Sequence, residues 1–152
     1  MPKVEVVVDS RLPPATVREA LLNFGPSRPD IWPGIHAPLY EVYEVGDTYA
    51  DIKEGNKVPG GVIWAKEHYD WANHDTVTWT VRESNFCAPG SYVSARITPN
   101  GSNGSRIHVT WNRTPTSLVG RVAAFMVVAT RGAPVASSLR MGLKRLEANG
   151  VG

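Results

Sequence analysis

The stretch that decides the fold is "VIWAKEHYDWANHDTVTWTVRES", residues 62–84. Two runs rich in β-branched and aromatic residues flank the polar tripeptide Asn73-His74-Asp75, the pattern of a strand, a tight turn and a returning strand. Pairing the runs about that turn puts Ile63, Ala65, Glu67, Tyr69 and Trp71 on one face with Val77, Trp79, Val81 and Glu83. Lys66, His68, Asp70, Thr78, Thr80, Arg82 and Ser84 share the other. The first face is apolar and aromatic apart from its two acids, and the second suits water.

Working outward, the same kind of segment recurs on both sides. Upstream lie "LYEVYEV" and "TYADIKE", and downstream "YVSARIT" and "RIHVTW", each bounded by turn residues. The connections at Gly46-Asp47, Pro59-Gly60-Gly61 and residues 99–105 are short, with Gly and Asn able to take positive φ. Six successive strands with short turns predict an antiparallel sheet. Val93, Ala95, Ile97, Ile107, Val109 and Trp111 extend its covered face, while Tyr92, Ser94, Arg96, His108 and Thr110 extend its wet one.

A strand also opens the chain: "KVEVVVDS" sets Val4, Val6 and Val8 on one face. The segment "PPATVREALLNFG" then reads as a helix opened by proline and closed by Gly25. After "RIHVTW" comes "TPTSLVGRVAAFMVVATRGAPVASSLRMGLKRLEANG", where Thr114 or Thr116 can cap a helix and Pro115 suits its first turn. Leu118, Val122, Phe125, Ala129, Gly132, Ala136, Leu139, Leu143 and Leu146 recur at alternating four- and three-residue steps, a stripe expected to lie on the sheet. Val119, Ala123 and Val127 fall on the outward side, and Pro134 is expected to bend or interrupt the helix. The longest apolar run here, Val122 to Ala129, is far short of the about 20 residues a membrane span needs.

Composition excludes more than it identifies. A chain of 152 residues is the size of one domain, taken as 1–152, with a formal net charge of +2. That excess is too weak to argue for nucleic acid. The single Cys87 cannot form an internal disulfide, no Cys/His spacing suits zinc, and no apolar run of signal-peptide length opens the sequence. The expectation is a cytoplasmic protein with no metal and no cofactor. There is no G-x-S-x-G elbow, Walker loop or G-x-G-x-x-G, and "NGSNGS" reads as a hairpin turn.

Strand, helices, six antiparallel strands and a long C-terminal helix follow one another in the order of the helix-grip fold. With "DIWPGI" after the first helix, "KEHYDWANHDTVTWTV" in the middle and "GSRIHVTWNRTP" leading into the last helix, the sequence resembles the START-like or Bet v 1-like (SRPBCC) superfamily. Within it, bacterial polyketide cyclase/dehydrase and lipid-transport-like proteins are the nearest in kind. The resemblance covers essentially the whole chain and implies an α+β fold. A curved seven-stranded antiparallel sheet would wrap around a long C-terminal helix, with two short helices between strands 1 and 2. It also implies a cavity for a hydrophobic ligand, in a superfamily that spans carriers, cyclases and regulators.

The small residues Ala129, Gly132 and Ala136 face a sheet lined by aromatics, which leaves room for such a cavity. Its expected lining is Tyr43, Glu67, Tyr69, Trp79, Val81, Ile97, Trp111, Phe125 and Ala129. Glu67, on the apolar face beside Val81 and Trp79, would have a raised pKa if desolvated and unpaired, which suits a general base; an arginine partner is the structural alternative. Glu83 and Glu41 are weaker candidates of the same kind. Tyr69 and His36, in "WPGIH", complete the set of proton carriers. The sequence therefore predicts a binder or carrier of a small lipid, polyketide or aromatic molecule. The alternatives are a cyclase or dehydrase using Glu67, Tyr69 or His36, and a regulatory interaction module with a filled core. On the wet face Lys66, Arg82, Arg96 and His108 are expected in one row, which would suit an anionic membrane surface or an acidic carrier protein. Monomer and homodimer both remain open.

Overall fold

In the computed structural model, which describes residues 3–148, the strand pattern of the sequence becomes one seven-stranded antiparallel sheet in the order β1-β7-β6-β5-β4-β3-β2. The strands are β1 (Lys3–Ser10), β2 (Glu41–Val45), β3 (Tyr49–Val58), β4 (Gly61–Asp70), β5 (Thr76–Ser84), β6 (Tyr92–Asn100) and β7 (Gly104–Asn112). Helices α1 (Pro14–Leu21) and α2 (Arg28–Ile31) and a 3-10 turn (Ala37–Leu39) fill the connection from β1 to β2. Because β2 and β1 lie at opposite edges, that connection must cross the whole covered face. It thereby closes one side of the interior.

The period-two pattern decides which face is covered. Ala50 and Ile52, Ala65, Glu67 and Tyr69, Val77 and Val81, Val93, Ala95 and Ile97, and Ile107, Val109 and Trp111 are all buried on the inner side. Two register shifts interrupt the pairing, one between Val42 and Glu44 on the edge strand β2 and one between β4 and β5. Lys66 pairs with Glu83, but Glu67 pairs with Val81, so Arg82 is the extra residue of a β-bulge. Bulges increase local twist and bend the strand, which a sheet curving around its contents requires. The shift also turns Glu83 outward, where it meets Lys66 at 3.1 Å. Glu83 is therefore not an inner-face acid, contrary to the alternation.

The same bulge parts Lys66 from Arg82, and the β5–β6 register parts Arg82 from Arg96, so the expected basic row does not form. Arg96 stands opposite His108 on β7 and Thr76 on β5, whereas Arg82 lies at the far end of β5. Lys66 is paired with Glu83 and Arg96 approaches Asp75 at 3.5 Å. Four like charges in line would repel one another; here two are compensated and one is displaced.

The C-terminal segment also departs from the single stripe. It forms two helices, α3 (Leu118–Ala129) and α4 (Ala133–Ala148), whose axes differ by 84°. Arg131 and Gly132 at the break have φ of 54° and 85°, the left-handed conformation that ends a helix. A side chain at Gly132 would strike Val4 and Val6 of β1. Beyond the break α4 keeps the predicted face, burying Ala136, Leu143 and Leu146. Before it, α3 is rotated: Gly120, Ala124 and Val127 are buried, and Leu118, Val122 and Phe125 are exposed. Gly120 makes this possible because it lies so close to the Phe86 carbonyl that no side chain would fit. No single helix among the described residues is long and apolar enough to cross a membrane.

Helix α4 sits on the interior through Gly142, which lies against the indole of Trp32. Replacing an interior helical glycine with alanine ordinarily gains about 1 kcal/mol. Here the added methyl would stand inside the Trp32 ring, and overpacking costs about 1–3 kcal/mol. Gly142→Ala is therefore expected to destabilise the protein, measured as a lowered urea midpoint; a raised midpoint would show that α4 and Trp32 are loosely packed.

Candidate functional site

Between the sheet and α4 lies a cavity of about 270 Å³. Strands β3 to β7 contribute through their inner faces: Asn56 from β3, Ala65 from β4, Trp79 from β5, Val93 and Ala95 from β6, and Val109 and Trp111 from β7. Helix α4 supplies Val135, Ser138 and Leu139. Trp32, Gly34 and Ile35 come from the loop after α2, Leu21 from α1, and Phe86 from the β5–β6 connection. Aromatic rings thus form much of the wall. Tyr69 and Trp79, cross-strand partners, stack with centroids 5.2 Å apart and planes 11° from parallel.

A row of polar groups runs along the β3–β4 side of this cavity. Arg28 is 3% exposed, and its guanidinium donates to the carbonyls of Leu21 at 2.8 Å and Asn23 at 3.0 Å. Its other terminal nitrogen donates to the Tyr69 hydroxyl at 3.1 Å and lies 3.5 Å from Glu54. The Tyr69 hydroxyl in turn donates to Glu54. The ring of Phe24 lies 4.8 Å beneath the guanidinium and meets Tyr69 edge-on. Although burial opposes its charge, Glu54 and Tyr69 hold Arg28 protonated, its pKa above the ordinary value. Burial and the neighbouring Glu54 carboxylate push the Tyr69 phenol well up, so it remains a hydrogen-bond donor at neutral pH.

Glu67 lies two residues along β4 and is 5% exposed. Its carboxylate accepts from Arg113 at 3.1 Å, just past the end of β7. Arg113 also rests over the ring of Phe86 at 5.5 Å. Burial raises the Glu67 pKa to about 7, with the Arg113 charge opposing the rise and Glu54 adding to it. Near neutrality this carboxyl exchanges a proton readily, which an acid/base group or a partner for a ligand hydroxyl needs.

The candidates named from the sequence are distributed unevenly about this site. Glu67, Tyr69, Trp79 and Trp111 line the cavity together. Val81 and Ile97 are buried within the packed core and do not line it. His36 is half-buried beside the lining residue Ile35, and its backbone N–H donates to the Gly55 carbonyl at 2.7 Å; its ring does not line the cavity. Three candidates are misplaced. Tyr43 is exposed on the edge strand β2, where its hydroxyl donates to Glu41, itself exposed. Phe125 and Ala129 point to the surface because α3 is rotated relative to α4.

Sequence reasoning missed Arg28, Glu54 and Arg113. Two of these were within reach of the alternation: Glu54 continues the face of Ala50 and Ile52, and Arg113 that of Val109 and Trp111. Arg28 had no periodic signal, because it lies in the irregular segment "GPSRPDIW". Among the described residues, no group of three or more His, Cys, Asp or Glu side chains is placed to hold a metal ion.

No protein-family model matches the chain, and no curated protein matches it in sequence. Solved structures do resemble it. The Zhui aromatase/cyclase of Streptomyces sp. R1128 superposes with a TM-score of 0.77 at 18% identity, over 95% of this chain and 93% of that one. A START superfamily protein of Mycobacterium smegmatis gives 0.76 at 12% identity, over 95% and 98%. The lipid transfer and protein localization domain of human StarD13 gives 0.66 at 13% identity, over 91% and 74%. The chain therefore has the START-like helix-grip fold. At these identities the likeness is one of fold.

The raised Glu67 pKa has a consequence for stability. An ordinary glutamate titrates near 4.5, and Glu67 in the folded protein near 7. Between those values the unfolded chain has released a proton that the folded protein still holds, so this group's contribution is full below about 4.5 and is lost as pH rises through about 7. Glu67→Gln removes that dependence. Urea unfolding should show the parent losing stability relative to the variant between about pH 5 and about pH 8; a constant difference would mean that Glu67 titrates normally.

Proposed function

We propose that the protein binds a small, largely apolar molecule of aromatic or polyketide type in the cavity between the sheet and α4. The observation that carries this reading is the make-up of the cavity wall. Flat rings of Tyr69, Trp79, Trp111 and Trp32 supply stacking area, and the Arg28–Tyr69–Glu54 and Glu67–Arg113 groups on one side supply hydrogen bonds for ligand oxygens. Pockets for small molecules commonly combine apolar walls with a few placed polar groups, in volumes of about 300–1,000 Å³. At about 270 Å³ this cavity suits a ligand of few rings. Two of the structural neighbours, an aromatase/cyclase and a lipid transfer domain, agree with a hydrophobic cargo or substrate.

Catalysis on such a molecule is a second reading, favoured by Glu67 alone. Its carboxyl lines the cavity with a pKa of about 7, so it can take a proton from a ligand carbon or hydroxyl and return it. Binding without turnover needs Glu67 only as a hydrogen-bond partner.

Native mass spectrometry of the freshly purified protein is the direct test. A discrete extra mass that leaves on denaturation, and whose extract is aromatic or polyketide in kind, is the expected result. Tryptophan emission should also change on titration with a hydroxylated naphthalene. Ala95→Phe, which fills the cavity from β6, is expected to abolish both signals. Trp111→Ala removes one aromatic wall worth about 1.5 kcal/mol, roughly tenfold in affinity. A bare polypeptide mass together with unchanged emission would overturn the proposal. Glu67→Gln then separates the two readings: a carrier keeps its ligand, whereas an enzyme using this acid loses turnover while still binding.

A further inference from the structure

Helix α3 carries large side chains on its solvent side and small ones on its buried side. Leu118 is 77% and Phe125 69% exposed, and Val122, Met126 and Val128 are exposed with them. Leu118, Val122 and Phe125 recur at four- and three-residue steps, so they form one continuous apolar stripe facing water. The tip of the β3–β4 hairpin extends it: the exposed Val62 follows Gly60 and Gly61, and Gly60 lies beside Val119 of α3. A contiguous patch of this kind marks a surface that meets something.

The surrounding charges identify the partner. Between Glu83 and Glu147 the sequence contains no Asp or Glu. Arg121, one turn from both Leu118 and Phe125, flanks the stripe, and Arg131 stands at its end. Both are exposed, and neither forms a salt bridge among the described residues. A second copy of the chain would bring like charges together across the contact. It would also find little area: a 12-residue helix is about 18 Å long and about 10 Å wide, on the order of 200 Å², against about 800 Å² per partner in a stable interface. An acidic protein would satisfy the arginines but would have to match five protruding apolar side chains. A fluid bilayer accepts such side chains without a matching surface, to a depth of about 5–10 Å, while flanking arginines reach the headgroups.

We propose that α3, with the tip of the β3–β4 hairpin, docks on a lipid bilayer bearing anionic headgroups. The docking face is separate from the cavity and holds whether the cavity carries or transforms its ligand. Leu118, Val122 and Phe125 enter the acyl boundary, and Arg121 and Arg131 contact lipid phosphate. The contact is reversible and weakens as salt rises.

Co-sedimentation with vesicles tests this directly. The protein should sediment with vesicles of equal parts phosphatidylcholine and phosphatidylglycerol, and much less with phosphatidylcholine alone. Leu118→Glu combined with Phe125→Glu should abolish sedimentation without lowering the melting temperature, since both side chains are already in water. Arg121→Gln and Arg131→Asn should each weaken binding to the anionic vesicles about fivefold. Failure of the parent to sediment with anionic vesicles would overturn the proposal, as would equal sedimentation of the Leu118/Phe125 variant or equal binding to both vesicle types. A concentration-dependent dimer in light scattering, dispersed by the same double substitution, would overturn it in favour of self-association. Retention on an acidic protein without vesicle binding would overturn it in favour of a protein partner.

Discussion

A single buried cation holds the interior together. Arg28 opens the single-turn helix α2 yet is almost fully buried, and it reaches two carbonyls at the end of α1, the Tyr69 hydroxyl on β4 and the Glu54 carboxylate on β3. A guanidinium so far from water is tolerable only while these partners remain, since stripping one partner from a buried ion pair costs about 3–5 kcal/mol. The α1–α2 connection is therefore fixed to the sheet by charge as much as by packing. Trp32 follows four residues later, held by its indole N–H on the Ala20 carbonyl at 3.3 Å and by Gly142 of α4 against its ring. Loop, sheet and helix meet around one cavity because Arg28 and Trp32 leave the loop nowhere else to go.

The break at Arg131 and Gly132 divides the C-terminal segment by task. Helix α4 buries Ala136, Leu143 and Leu146 and lines the cavity with Val135, Ser138 and Leu139. Helix α3, turned by 84°, is free to rotate about its own axis and to choose a different buried face. It buries the face that can come nearest the Phe86 backbone, that of Gly120 and Ala124, and its large apolar residues are left outside. Close backbone approach has overridden side-chain hydrophobicity here.

These particulars explain what the sequence made legible. Strand alternation is a local property, and it located the inner face, the strand order of the hairpins and four cavity residues, Glu67, Tyr69, Trp79 and Trp111. Glu54, inside β3, and Arg113, just past β7, obey the same alternation, but a charged side chain in that pattern reads as solvated. The Arg82 bulge leaves no compositional trace: inserting one residue between Val81 and Glu83 moves Glu83 to the other face while the hydrophobic pattern before it stays intact. The stripe of the last helix failed at the point where a helical period was carried across a left-handed break, since a period holds only while the backbone stays helical. Arg28 was beyond any such reading, because its partners come from α1, β3 and β4.

The two ion pairs beside the cavity are not equivalent, and the difference bears on what the site can do. Arg28 has Glu54 and Tyr69 as partners, and Glu54 stands between two donors. Glu67 has one hydrogen-bonded cation, Arg113, and its carboxylate is more deeply buried than that of Glu54. A ligand that fills the cavity with carbon removes remaining water from Glu67 and favours its protonated form; a ligand that offers a hydroxyl there favours the carboxylate. The proton on Glu67 thus depends on which atom of the occupant faces it. With a hydrocarbon edge in that position the site is a container, and with an acidic C–H or O–H there the same carboxyl is a base already poised near neutrality.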